Sequence, residues 1–167
     1  EASLGPKPAK SREGESADSL RADADAGDPE AAYQLGVCYG QGKGVEENDD
    51  TALKYYIKAA EAKHPMAMFK AGVYYSFGYG VEVDDAVAFK WFTKASIAGV
   101  PAANYCIGEY FELGYLDHPP DTKKAVPYYT LAADANDPEA VHAMARLSRE
   151  EHLVDLFKWT EKSAQMG

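Results

Sequence analysis

The sequence predicts an all-α solenoid of about four two-helix units that repeat every 36 to 37 residues. Glycines recur at positions 36, 72 and 108, and prolines recur at positions 29, 65, 101 and 138. Within each unit the apolar residues follow the three- and four-residue spacing of a helix. A short period that keeps its phase along a chain is typical of stacked supersecondary units, so we expect each unit to pack on the next.

The chain divides into a linker-like start and a repeat domain. Residues 1–15 are rich in Pro, Lys, Ser and Glu, a composition typical of linkers. The first residue is Glu rather than Met, so we expect a piece of a longer protein or a processed product. The repeat domain is predicted to contain a partial capping helix at 16–27 and repeats at about 28–63, 64–99, 100–136 and 137–167.

The first helix of each unit begins with proline and contains a glycine. In the first unit Asp28 is the predicted N-cap and Pro29 the first helical residue. Gly36 lies inside this helix, where glycine costs about 0.5–1 kcal/mol relative to alanine. Because the glycine recurs, we predict a compensating close contact between its bare backbone and an aromatic ring of the second helix.

A glycine-containing loop joins the two helices of a unit. Its glycines are predicted to end the first helix and to supply positive φ for the return. The second helix of the first unit is predicted from about Asp49 to Ala62, with acidic residues favoured at its N-terminus by capping and by the helix dipole. A phosphate-binding loop would be singular and would follow a strand, so the recurrence of this loop favours a structural role.

The pattern resembles the Sel-1-like repeat, a relative of the tetratricopeptide repeat, from about Asp28 to the end of the chain. The resemblance implies a right-handed α/α solenoid that binds other proteins. The residues that carry this signature are Gly36, Gly72, Gly108, Tyr39, Tyr75, Phe111, Gly42, Gly78, Gly114 and Trp91.

The third and fourth units depart from the pattern. The third replaces the usual Gly-Val of its loop with the segment LDHPPD, which predicts a stiffer loop of different shape. The fourth has Ala145 in place of the helix glycine and about five fewer residues between its helices.

Composition and residue spacing argue against several kinds of chemistry. A net charge of −10 disfavours nucleic acid and acidic membrane surfaces as direct partners. The four histidines are scattered and show no zinc-ligand spacing, so neither a metal site nor a cofactor is predicted. Cys38 and Cys106 are predicted to be reduced, packed thiols, which mildly favours a reducing compartment such as the cytoplasm for a soluble chain.

The candidate binding surface is the side of the first helices opposite the one that holds Leu35 and Tyr39. In a solenoid these helices line a concave face that commonly binds partners. Tyr74 and Tyr110 are either exposed anchors or rings buried between units, and the sequence leaves both options open. The aromatic and acidic character suits a protein or peptide with hydrophobic and basic residues. The candidate residues are Gln34, Gln41, Lys70, Tyr74, Phe77, Glu109, Tyr110 and Leu113.

The sequence therefore favours a non-catalytic interaction scaffold or adaptor. The alternatives are a docking or regulatory module of a larger enzyme, an enzyme in its own right, and a structural segment whose concave face is filled by its own chain or by a second protomer.

Overall fold

The computed structural model describes residues 12, 14–115, 117–150 and 156–166, and all regular secondary structure in these ranges is helical. No helix in the described ranges is long and apolar enough to cross a membrane. The helices are α1 (Ala17–Asp25), α2 (Pro29–Gln41), α3 (Asp49–Glu61), α4 (Pro65–Phe77), α5 (Asp85–Ile97), α6 (Pro101–Leu113), α7 (Thr122–Asp134), α8 (Pro138–Glu150) and α9 (Leu156–Met166).

Each helix packs on the helix before it and the helix after it, which is the contact pattern of an α/α solenoid. The helices α2, α4, α6 and α8 are the first helices of their units, and α3, α5, α7 and α9 are the second. The predicted linker falls mostly on residues 1–11 and 13, which lie outside the described residues, as does the shortened connection at 151–155. The predicted all-α solenoid is confirmed.

Polar side chains cap the N-termini of most of these helices. The Asp28 carboxylate accepts hydrogen bonds from the backbone N–H groups of Glu30 and Ala31 at 2.9 and 3.2 Å, as predicted. One cap differs from the expectation, because the α3 N-cap is Asn48 and not one of the aspartates that follow it. Asp49 and Asp50 instead lie in the first turn, where the positive end of the helix dipole stabilises their charge.

The same type of backbone hydrogen bond closes the loop in each of the first three units. The N-cap residue of the second helix donates its N–H to the carbonyl of the aromatic residue near the end of the first helix. These N–H to O distances are 2.9 Å from Asn48 to Tyr39, 3.0 Å from Asp84 to Tyr75 and 2.7 Å from Asp121 to Phe111. The glycines at positions 42, 78 and 114 end the first helices with φ of 64°, 74° and 77°, as predicted.

The third loop keeps this closure although its sequence differs. It is one residue longer than the second loop, and Asp117 adopts a φ of 60°. Pro120 packs so closely on Gly114 that a Cβ there would lie 2.6 Å from the proline nitrogen. The extra residue accounts for the 37-residue spacing at this point of the chain, while the closing hydrogen bond keeps the helix pair in place.

The helix glycines contact aromatic rings of the second helices, as predicted. A Cβ on Gly36 would lie 2.7 Å from two ring carbons of Tyr56, and a Cβ on Gly72 would lie 2.7 Å from two ring carbons of Phe92. Gly108 meets the ring of Tyr129 in the same way, with its nearest carbon at 2.5 Å. Real Cβ contacts are longer than this, so the two helices of a unit approach each other only because the first has no side chain there.

We expect Gly72→Ala to lower the free energy of unfolding by about 1 kcal/mol and Gly72→Val by about 3 kcal/mol. The added carbon overlaps the Phe92 ring, and the better helix propensity of alanine offsets part of that cost. Urea unfolding followed by circular dichroism measures both values. In a Phe92→Leu background, Gly72→Ala should lower the free energy of unfolding much less. An unchanged decrease would contradict the packing explanation.

Candidate functional site

The structure divides the predicted binding row into buried and exposed residues. Tyr74 and Tyr110 are 7% and 6% exposed, whereas Phe77 and Leu113 are 66% and 58% exposed. Tyr74 and Phe77 are three positions apart on α4, as are Tyr110 and Leu113 on α6. The difference in exposure therefore reflects contacts with the neighbouring units. Of these four candidate residues, Phe77 and Leu113 remain large exposed side chains, and the two tyrosines belong to the packing between units.

Tyr74 is buried among side chains of its own unit and of the preceding one. Its ring makes edge contacts with Tyr56 and Tyr79 at centroid distances of 5.2 and 5.4 Å. Its hydroxyl lies directly against Gly40, where a side chain would collide with it. Burial raises the pKa of Tyr74 to about 12, so the hydroxyl stays neutral.

Tyr110 joins α6 to α5 of the preceding unit. Its hydroxyl donates to Oδ1 of Asp85 at 3.0 Å, and its ring packs on Phe89 and Phe92 at 5.6 and 6.1 Å. Burial raises the pKa of Tyr110 as well. Of the two options left open by the sequence, burial between units is the one that the structure shows for both tyrosines.

The exposed members of the row line a cleft of about 390 Å³ between α4 and α6. Phe77 lines this cleft from α4, and Glu109, Tyr110 and Leu113 line it from α6. The remaining residues that line this cleft are Ser76, Val83, Asp85 and Tyr115.

Sequence reasoning missed the contribution of Val83. This residue is 60% exposed and lies just before the α5 N-cap, in a loop where a polar residue would be ordinary. Its side chain is held at 3.0 Å from the position of a Cβ on Gly78. An apolar residue immediately before a helix N-cap was the available signal.

The other candidate residues lie elsewhere. Gln34 donates to the Glu30 carboxylate at 2.9 Å and lines a separate cleft between α1 and α2. Gln41 is exposed at the last residue of α2, and Lys70 is half-buried on α4. None of these three lines the cleft between α4 and α6.

A second cleft, of about 710 Å³, lies between α6 and α8 and shares Glu109 and Leu113 with the first. Its α8 wall includes Glu139, His142 and Arg146, which sequence reasoning did not place in the site. The fourth unit departs from the repeat pattern, so its residues had no aligned counterparts that would indicate a surface role. The two adjoining clefts are named the α4–α6–α8 groove.

The two glutamates of α6 have different surroundings in this groove. Glu112 accepts a hydrogen bond from the Tyr129 hydroxyl at 2.6 Å and forms an ion pair with Arg146 at 2.5 Å. Glu109 accepts a hydrogen bond from the Tyr105 hydroxyl at 2.9 Å. Burial is the main cause that raises the pKa of Glu109, and the neighbouring charge of Glu112 adds to it.

The thiols do not have the properties of catalytic nucleophiles. Both cysteines are free. Burial raises the pKa of Cys38 and raises that of Cys106 to about 12, so both remain protonated thiols near neutral pH. Within the described ranges, no three His, Cys, Asp or Glu side chains form a group that could hold a metal ion.

We expect Tyr110→Phe to lower the free energy of unfolding by about 1–2 kcal/mol, because Asp85 loses a hydrogen-bond donor between units. Chemical denaturation measures the change. Tyr115→Phe is the matched control, since Tyr115 is 42% exposed and should change stability by less than about 0.5 kcal/mol. Equal effects of the two substitutions would show that the Tyr110 hydroxyl does not hold the units together.

Three solved structures illustrate the similarity of this chain to known proteins. A Sel1 repeat protein from Oxalobacter formigenes is 29% identical with a TM-score of 0.83, and the match covers 90% of this chain and 63% of that one. A protective antigen of uropathogenic Escherichia coli strains is 25% identical with a TM-score of 0.82, covering 90% of this chain and 33% of that one. An immunity protein from Pseudomonas aeruginosa shares the fold alone. It is 18% identical with a TM-score of 0.52, and the match covers 90% of this chain and 73% of that one.

A comparison with curated proteins found none that matches. The chain spans less than two thirds of the length of the first two solved structures. The family model for the Sel1 repeat matches three consecutive segments, residues 29–64, 65–100 and 101–137, which together cover more than half of the 167 residues. The described helix pairs α2–α3, α4–α5 and α6–α7 lie in these segments, and the chain therefore belongs to the Sel1 repeat family.

Proposed function

We propose that this chain is a non-catalytic scaffold that binds a segment of a partner protein in the α4–α6–α8 groove. Sel1 repeat proteins generally act as protein-interaction scaffolds. The proposal adds a location, a set of contact residues and a partner chemistry to that general role.

The observation that carries the proposal is the exposure of Phe77, Val83 and Leu113 in one cleft. Each of these large apolar side chains is more than half exposed, at 66%, 60% and 58%. Single exposed apolar residues are common on protein surfaces, but a concave group of them is typical of an interaction site. Burying them against a partner would supply about 25 cal/mol for each Å² of apolar surface removed from water.

The carboxylates that line the cleft indicate the chemistry of the partner. Asp85 and Glu109 contribute carboxylates beside the apolar walls, and the whole chain carries a net charge of −10. A negative field attracts basic segments and repels acidic ones, which affects association rate and specificity more than raw affinity. We therefore propose a partner segment that carries both hydrophobic and basic residues.

We expect the double substitution Phe77→Ser and Leu113→Ser to abolish partner capture while leaving the melting temperature close to that of the unaltered chain. The two side chains are mostly exposed, so their removal costs little packing in the free protein. Pull-down from a lysate after chemical cross-linking, read by mass spectrometry, compares the proteins captured by each variant.

The matched control is Ile97→Ser, which removes a side chain that is 83% exposed at the end of α5. Proteins captured by the unaltered chain and by Ile97→Ser but not by the double variant would support the groove. Capture of the same proteins by all three would place binding elsewhere and would contradict the proposal.

A further inference from the structure

Glu109 and Leu113 form a ridge on α6 at the centre of the α4–α6–α8 groove. Both residues line the cleft on the α4 side and the cleft on the α8 side. They are four positions apart, so their side chains lie on the same face of α6, one turn from each other. A segment that crosses the groove therefore contacts a carboxylate and an apolar side chain together.

The other carboxylates of the groove are already stabilised. Glu112 is held by Arg146 and by the Tyr129 hydroxyl. Asp85 accepts the Tyr110 hydroxyl hydrogen bond and lies in the first turn of α5, where the helix dipole favours its charge. Glu139 is exposed to water in the first turn of α8.

Glu109 differs from these three carboxylates. It is half-buried, and among the described residues no basic side chain forms an ion pair with it. Its raised pKa is the consequence of lost hydration that the Tyr105 hydroxyl does not fully replace. Part of the desolvation that accompanies formation of an ion pair has thus already occurred in the free protein. Binding a cation at Glu109 therefore costs less additional desolvation than binding one at a fully hydrated carboxylate.

We propose that Glu109 determines the specificity of the groove by binding a lysine or arginine side chain of the partner segment. An apolar side chain of the same segment lies beside it, against Phe77 and Leu113. This inference rests on the proposed function, because it names the residue that recognises the basic part of the partner. Glu112 does not share this role, since Arg146 neutralises it.

The test begins with a displayed library of random peptides of about 16 residues, which are about 24 Å long as a helix. It is selected in parallel on the unaltered chain, on Glu109→Gln, on the control Glu61→Gln, and on the Phe77→Ser and Leu113→Ser double variant. Glu61 is exposed at the last residue of α3 and lines neither cleft. Glutamine keeps an oxygen that accepts the Tyr105 hydrogen bond, so Glu109→Gln changes the charge of the groove and leaves its shape.

We expect the unaltered chain and Glu61→Gln to enrich peptides that combine a large apolar residue with lysine or arginine. Glu109→Gln should enrich apolar peptides without the basic preference. For the best peptide, replacing its basic residue by glutamine should weaken binding to the unaltered chain about tenfold and change binding to Glu109→Gln little, as measured by fluorescence polarisation.

The pH dependence gives a second readout. Because the pKa of Glu109 is raised, its carboxylate loses its charge at a higher pH than an ordinary glutamate, so affinity for the basic peptide should fall as the pH is lowered. His142 also lines this groove, so the measurement is made in a His142→Gln background to remove the imidazole. The remaining ionisable groups that line the groove are Tyr105, Glu112, Tyr129, Glu139 and Arg146 on the α8 side and Asp85, Tyr110 and Tyr115 on the α4 side. The decrease should disappear when Glu109→Gln is added.

The outcomes separate the two proposals. Peptides that are lost with the double variant but keep the same basic preference on Glu109→Gln would overturn the role of Glu109 and leave the proposed function standing. If no peptide is enriched, or if the double variant enriches the same peptides as the unaltered chain, the groove itself is not the binding site and both proposals fail.

Discussion

The contact between a helix glycine and an aromatic ring sets the geometry of each unit. Gly36, Gly72 and Gly108 allow the two helices of a unit to approach until the ring of the second lies on the backbone of the first. That separation fixes where the loop must close, and the same backbone hydrogen bond closes it in three units despite different loop sequences. The first three units therefore share the same pairing of first and second helix.

A second set of contacts joins the units to one another. Tyr74 and Tyr110 fill the space between neighbouring units with their rings. The Tyr110 hydroxyl reaches the start of the preceding second helix at Asp85. One turn further along the same helices, Phe77 and Leu113 remain mostly exposed. The same residue row thus supplies both the packing between units and the proposed binding surface.

The groove lies where the units differ. The position of Glu109 is occupied by Val73 in the second unit and by Val37 in the first, while that of Glu112 is occupied by Ser76 and Gly40. Valine, serine and glycine bring no charge to the surface, whereas the third unit brings two carboxylates and the fourth brings Arg146. Residues that recur in each unit form the fold of this chain, and residues that differ between units carry the charges of the groove.

The sequence by itself determined the helices and the glycines that end the first helix of each of the first three units, because these depend on neighbours within a few residues and on a period that three units share. It also predicted that each helix glycine meets an aromatic ring of the second helix, since both recur in phase, and the structure shows which ring of each aromatic pair does so. The tertiary structure decided which members of the candidate row are buried, because the exposure of Tyr74 or Tyr110 depends on atoms of the adjacent unit. It also decided that α8 contributes Arg146 and His142 to the groove, since that juxtaposition arises from the stacking of helices and leaves no spacing signal in the chain.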